Sequence, residues 1–315
     1  MRSALCPLVL ASVALLVGGC GSNDEAIDEI PVQQGSIEGL DYEIKDHTVT
    51  ITDCDSSIAG KLEIPTTIET RTVNRIGQHA FERCKLLTNI TIPSSVTSIE
   101  VSAFWHCKSL TSITIPDSVT SIGEGAFAEC KSLTSITIGN SVTRIGNDAF
   151  IGCSSLTSIT IPDSVTSIGG TAFYDCTSLT SITIPDSVTS IGASAFSRTG
   201  LTSITIGNRV TSIGKRAFSG CSSLTTITFL GNKPKVGRLA LTGCPAIIYR
   251  SPESKGWGNT LGGATVKLID EAPSEKSIAA TPPATTDKKF PSSFKDVVFG
   301  SNPVITDKDK AFWEA

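Results

Sequence analysis

The sequence predicts a repeat solenoid of the α/β type, mostly β and loop, with a parallel β-sheet and about eight 23-residue turns. Three observations predict it. Phe recurs at Phe81, Phe104, Phe127, Phe150, Phe173, Phe196 and Phe218, with Leu241 in the next place; the spacing is 23 residues, except 22 between Phe196 and Phe218. Ala precedes every one of these, from Ala80 to Ala240. Cys follows three residues later, at Cys84, Cys107, Cys130, Cys153, Cys176, Cys221 and Cys244. Chance does not place eight units in phase, so the repeat overrides the two domains that 315 residues would otherwise suggest.

One unit, residues 107–129, reads CKSLTSITIPDSVTSIGEGAFAE. Leu110, Ile113 and Ile115 alternate with outward Ser112 and Thr114, so the stretch reads as a short strand. Pro116 ends it, because proline has no N–H for a ladder. Gly139 and Gly207 stand in for that proline in two units, where backbone freedom would serve the turn. Val119 and Ile122 form a second inward set, Gly123 permits the next bend, and Ala126 and Phe127 bury a small and a large group side by side. Each covered apolar side chain is worth roughly 1–3 kcal/mol, against a backbone ordering cost of about 1–2 kcal/mol per residue. A lone turn therefore does not fold, and stacking on neighbours is obligatory. The first strands of successive turns should pair in parallel as one sheet roughly 35–40 Å wide.

The ends depart from the pattern as caps should. Residues 42–44 and 49–52 alternate around residues 45–48, a β-hairpin signal over the open end of the stack. The first turn carries Ile64-Pro65, then a five-residue expansion before Val73, Ile76 and Gly77. Downstream, Phe229 and Val236 keep the strand and bend places, and residues 247–249 give a last strand. Residues 256–268 would fold over the far end with Trp257 as a lid, since an uncapped stack exposes its core.

These residues resemble the BspA-like class of leucine-rich repeats, found in bacterial cell-surface antigens. The I/V-G-x-x-A-[FL] sites, the following Cys, the L-x-x-I-x-I-P strands, the expanded first turn and the closing IIYRSPESKGWGN stretch carry the resemblance, over roughly residues 40–268. It implies a leucine-rich repeat fold and a non-enzymatic surface protein, some members of the class binding host matrix proteins or other cells. One unit departs from the pattern: Arg198, Thr199 and Gly200 replace the four residues that elsewhere include the Cys.

The flanks give an address. Arg2 precedes a ten-residue apolar run at residues 8–17, too short to span a bilayer as a helix, which takes about 20 residues, but suited to a signal peptide. The run closes on Val17-Gly18-Gly19-Cys20, which resembles a bacterial lipobox with Cys20 as the lipid attachment site. Each buried CH₂ of an acyl chain contributes about 0.8 kcal/mol, so several chains would anchor the protein firmly. The expected organisation is residues 1–20 as signal peptide with lipobox, 21–38 as a flexible acidic tether, 39–268 as the capped solenoid, and 269–315 as a disordered linker and short tail. Lys and Arg number 26 against 30 Asp and Glu, for a net charge of -4. That balance argues against a nucleic-acid partner. The membrane, through the N-terminal lipid, and a protein or glycan ligand are the expected partners of a monomeric chain.

Chemistry is scarce. His47, His79 and His106 lie in different units, and no H-E-x-x-H, G-x-S-x-G or G-x-x-x-x-G-K motif occurs. No catalytic residue, cofactor site or metal site is expected. The cysteines have no C-x-x-C spacing. Their simplest arrangement is a column of buried thiols donating to backbone carbonyls. Disulfides remain the alternative in an oxidising compartment, with Cys54 in the N-terminal cap near other thiols. The readable surface is the sheet face. Ser112 and Thr114, Ser135 and Thr137, Ser158 and Thr160, Ser181 and Thr183, Ser203 and Thr205, and then Thr226 and Thr228 point outward as hydroxyl ladders. Its size, roughly two dozen side chains, matches one side of a standard interface, about 20–30 residues. Hot-spot residue types lie elsewhere: Trp105, His106, Tyr174, Lys215 and Arg216 fall on the bends. Two readings follow: an exported binding surface, or a structural spacer that displays the C-terminal tail.

Overall fold

The computed structural model describes residues 32–269, all strand, turn or loop, with no α-helix among them. Each regular turn holds two short strands, such as Ser112–Thr114 and Ser121–Ile122. The second strands pair in parallel without a break from Arg71–Ile76 to Lys235–Val236, with Ile99, Ile122, Ile145, Ile168, Ile191 and Ile213 in register. The first strands number nine, from Gly60–Glu63 to Ile247–Arg250, close to the eight turns expected.

These first strands do not make the single sheet that the sequence predicted. They divide into two sheets, one ending at Ser158–Ile159 and the other beginning at Ser181–Ile184. The repeat places the same Ser-Ile-Thr on both sides of the gap, so residue pattern alone does not mark it.

The inward set is as expected. Leu110, Ile113, Ile115, Val119, Ile122, Ala126 and Phe127 are all buried, and so are their equivalents in neighbouring turns. The seven Phe rings stand in one file, with centroids 5.0–5.6 Å apart and planes within 13° of parallel. A strand spacing of about 4.8 Å dictates that separation, so the rings stack with an offset.

The bends work differently from the expectation. The residues two before and two after each Phe take the left-handed conformation: Ser102 and His106 around Phe104, Asp148 and Gly152 around Phe150, Thr171 and Asp175 around Phe173. The glycine of each I-G pair is needed for close approach instead. A Cβ on Gly146 would meet the Gly123 carbonyl at 2.7 Å, and one on Gly192 would meet the Gly169 carbonyl at 2.6 Å. Gly139 likewise lies under the Pro116 carbonyl, where a Cβ would overlap the oxygen. Backbone packed on backbone therefore selects these glycines.

Both caps form. Leu40–Lys45 and Thr48–Cys54 make the antiparallel hairpin, and Thr48–Cys54 then pairs in parallel with Arg71–Ile76. Gln33–Ile37 adds a third, edge strand, so the fold begins inside the stretch assigned to the flexible tether. Its alternation is too polar to read as a strand, and pairing with the hairpin orders it. At the far end the Trp257 ring packs on Phe229 with centroids 5.0 Å apart, and its N–H donates to the Gly231 carbonyl at 3.3 Å. Ala264–Leu268 then adds one further parallel strand beside Ile247–Arg250. Residues 1–31, with Cys20 and the stretch expected to be a signal peptide, and residues 270–315 lie outside the described residues. No helix among the described residues is long and apolar enough to cross a membrane.

Candidate functional site

The period-two alternation of each first strand puts isoleucine inside and hydroxyls outside. Ile113, Ile136, Ile159, Ile182 and Ile204 are buried. Ser135, Ser158, Ser181 and Ser203 are exposed with Thr114, Thr137, Thr160 and Thr183, while Ser112 and Thr205 are half-buried. Register brings them into two ladders: Ser135 pairs with Ser112 and Ser158, and Thr183 with Thr205. Thr226 and Thr228 extend both ladders beside Ser203 and Thr205.

The break in the sheet gives this face a centre. A hollow of about 510 Å³ opens over it, lined by Ser158, Thr160, Ser181, Thr183, Ser203 and Thr205 together with Asp163 and Pro185. Along the neighbouring column, Thr157 N–H donates to the Thr134 carbonyl at 3.2 Å and Thr202 N–H to the Thr180 carbonyl at 2.8 Å. No such bond joins Thr180 to Thr157 among the described residues. Instead the Ser178 N–H and the Thr177 hydroxyl both reach the Ser154 carbonyl, at 3.2 and 3.3 Å, so the chain here is held one step earlier. Ladder groups that satisfy each other elsewhere are left for water or a ligand at this place.

Asp163 differs from its counterparts Asp117 and Asp186, which face Asn140 and Asn208 of the next turn where Asp163 faces Asp186. Asp117 accepts the Asn140 N–H at 2.7 Å, and Asp186 accepts the Asn208 N–H at 2.7 Å. Asp163 has no hydrogen-bond or ion-pair partner among the described residues. The hollow thus combines six hydroxyls, each donor and acceptor, and one acceptor carboxylate with the apolar surface of Pro185 and of Ile159, Ile161 and Ile182. That set suits a ligand rich in hydroxyls, amides or a cationic group. Sequence reasoning found the hydroxyls but not Asp163 or Pro185, which share the P-D-S turn with other units.

The remaining polar features are dispersed. His79 pairs with Glu82 at 2.6 Å, and the Arg83 guanidinium lies 4.7 Å from the centre of the Trp105 ring. Burial and the nearby Lys108 hold His106 below the usual imidazole range. Arg198 donates to the Tyr174 hydroxyl at 3.1 Å. No group of three or more His, Cys, Asp or Glu is placed to hold a metal among the described residues.

The cysteine column has the simpler of the two arrangements expected. The thiols of Cys107, Cys130, Cys153, Cys176 and Cys221 donate to the carbonyls of Phe81, Phe104, Phe127, Phe150 and Phe196, at 2.9–3.2 Å. Thr199 stands in the missing place, but its hydroxyl donates within its own turn, to the Phe196 carbonyl at 2.9 Å; the deletion falls just after it. Burial pushes the Cys153 thiol up to about 12, and Cys130 and Cys176 are raised in the same way.

A sequence profile described as a BspA type leucine rich repeat region matches residues 59–159 and 143–253, in six copies. A leucine-rich repeat protein of T. pallidum is 28% identical, covers 68% of this chain and 90% of its own, and superposes with a TM-score of 0.53. A leucine-rich repeat protein of Bacteroides ovatus is 27% identical over 79% of this chain and 77% of its own, with a TM-score of 0.48. No curated protein matches the chain.

Proposed function

We propose, from the premise that the chain belongs to the BspA-type leucine-rich repeat family, that it is an exported, lipid-anchored protein that binds a protein or glycan by surface complementarity and without turnover. The observation that carries this reading is the hollow over the sheet break, with its six hydroxyls and unpaired Asp163. Its volume of about 510 Å³ falls within the range of ligand clefts, about 300–1,000 Å³. Export and anchoring rest on the lipobox at Cys20. The family's surface antigens support the same address.

Binding to immobilised mature chain tests the site. The probes are purified extracellular-matrix proteins and envelope polysaccharides. At least one should bind wild type, and Thr183→Arg, which fills the hollow, should weaken it at least about tenfold, or about 1.4 kcal/mol. Binding of none, or of all equally by both chains, would overturn the reading. Labelled fatty acid should enter wild type and not Cys20→Ala, and proteases should reach the protein on intact cells.

A spacer that displays the C-terminal tail is the second reading. It is favoured by the lack of Trp, Tyr or Arg on the hydroxyl face. Deleting two units in register should leave a spacer working and should remove binding from an interaction surface.

A further inference from the structure

The cysteine column is irregular at both ends: Cys244 is directed to the Leu224 carbonyl at 3.8 Å, and the N-terminal end departs in another way. In each regular turn the thiol donates to a Phe carbonyl 25 or 26 residues earlier. Cys84 lies in the first turn and has no earlier Phe. Its thiol is directed to the Cys54 carbonyl, at 3.8 Å across 30 residues. The residue that accepts from the Cys84 thiol is therefore itself a cysteine, which places a second thiol beside the first. Cys54 ends the last strand of the N-terminal hairpin, and its Sγ also lies 3.6 Å from the Asp55 carbonyl. Both cysteines are buried, and residues 55–57, which follow Cys54, are exposed.

We propose that Cys54 and Cys84 form an intramolecular disulfide, by exchange with an external disulfide, that ties the N-terminal cap to the first turn of the solenoid. The Cys84 Sγ already lies 3.8 Å from the main chain of Cys54, so the movement the bond requires is a rotation of side chains and not a rearrangement of the stack. The other column thiols point in parallel at carbonyls within the stack. Each would have to give up a 2.9–3.2 Å bond and turn against its direction of packing.

The local electrostatics give an order of events. The neighbouring Cys54 thiol holds the Cys84 thiol below its ordinary value against the opposing effect of burial, while Cys54 itself is raised. Cys84 is therefore the first thiolate. With oxidised glutathione as the oxidant, the Cys84 thiolate attacks one of its sulfurs and expels a glutathione thiolate. Cys54 then gives up its proton and attacks the Cys84 sulfur of the mixed disulfide, and the second glutathione leaves. The two cysteines lose two electrons and two protons, and one glutathione disulfide becomes two thiols. Local opening of the N-terminal cap gives the oxidant access. The closed loop spans 30 residues, so the disulfide restricts the unfolded chain appreciably.

The test uses the full mature chain, folded, with and without oxidised glutathione. After quenching by alkylation and digestion without reductant, mass spectrometry maps every cysteine. The proposal expects loss of two thiols, one linked peptide pair holding Cys54 and Cys84, and an unfolding midpoint raised by about 5 °C or more. Cys54→Ser should lose both the linked pair and the shift. Mapping the wild-type chain needs no variant to fold. Pairing between any other cysteines, a stable glutathione adduct alone, or a full set of thiols would overturn it. None of these outcomes depends on whether the hydroxyl face binds a ligand.

Discussion

The Cys130 thiol donates to the Phe104 carbonyl at 3.1 Å, across 26 residues of sequence. The same bond is made by Cys107, Cys153, Cys176 and Cys221, so each of these cysteines fastens its turn to the one before. The Phe104 carbonyl also accepts the Cys107 N–H at 3.2 Å, so it keeps one partner if the thiol is lost. Cys130→Ala should therefore cost only about 1–2 kcal/mol, the sum of a lost hydrogen bond and a small cavity. Urea denaturation measures this. A loss of about 4 kcal/mol or more would mean that the carbonyl had no other partner.

Stability should fall in alkali. Burial raises Cys130, Cys153, Cys176, Cys221 and Cys244 above the usual thiol value of 9.0, with Cys153 at about 12 and Cys244 at about 11. Below about pH 9 these thiols are protonated in folded and unfolded chains alike. Above it only the unfolded chain releases protons, so their stabilising effect is lost as pH rises toward the folded values. Each raised thiol should remove about 1.4 kcal/mol per pH unit in that window. Urea midpoints at about pH 8 and about pH 10.5 should differ accordingly, and less steeply in Cys153→Ala.

Two adjacent glycines should respond in opposite ways. A Cβ on Gly169 would stand 2.5 Å from backbone atoms of Gly146 and Asn147, whereas one on Gly170 meets nothing closer than 3.4 Å. Gly169→Ala should cost about 1–3 kcal/mol through overpacking. Gly170→Ala should be neutral or stabilise by up to about 1 kcal/mol, since φ there is not left-handed and alanine reduces the freedom of the unfolded chain. Equal effects in thermal denaturation would contradict the close-approach account.

Leu239 is exposed and held at φ 60°. A side chain in that region costs roughly 1–2 kcal/mol. Leu239→Gly should raise stability by about 0.5–1 kcal/mol, part of the gain being offset by backbone entropy. A lower thermal midpoint would show that the Leu239 side chain packs usefully in solution.

Most of the fold is legible in the residue order because a solenoid sets each residue beside its own copy. A Phe above a Phe, or a Cys above a Phe carbonyl, shows up as a fixed period along the chain. Features that depend on the exact distance between turns are not legible in that way. Gly123 and Gly146 read as bends, yet they serve the contact between backbones, while the left-handed places fall to residues such as Thr171 and Leu239 with no preference for them. The hydroxyl ladders of the candidate site follow from strand alternation, from Ser112 to Thr205. Their hollow does not, because Ser158 and Ser181 have the same neighbours in sequence as Ser135 and differ only in the missing ladder bonds between their turns.

Deletion in and out of register tests the stacking itself most directly. Removing residues 131–153 takes out one whole unit and joins Cys130 to Ser154 with the pattern intact. Removing residues 131–141 takes out about half of one. The account predicts that the whole-unit deletion keeps a β circular-dichroism spectrum and one cooperative unfolding transition, while the half-unit deletion loses both. Equal tolerance of the two, or equal collapse, would contradict it.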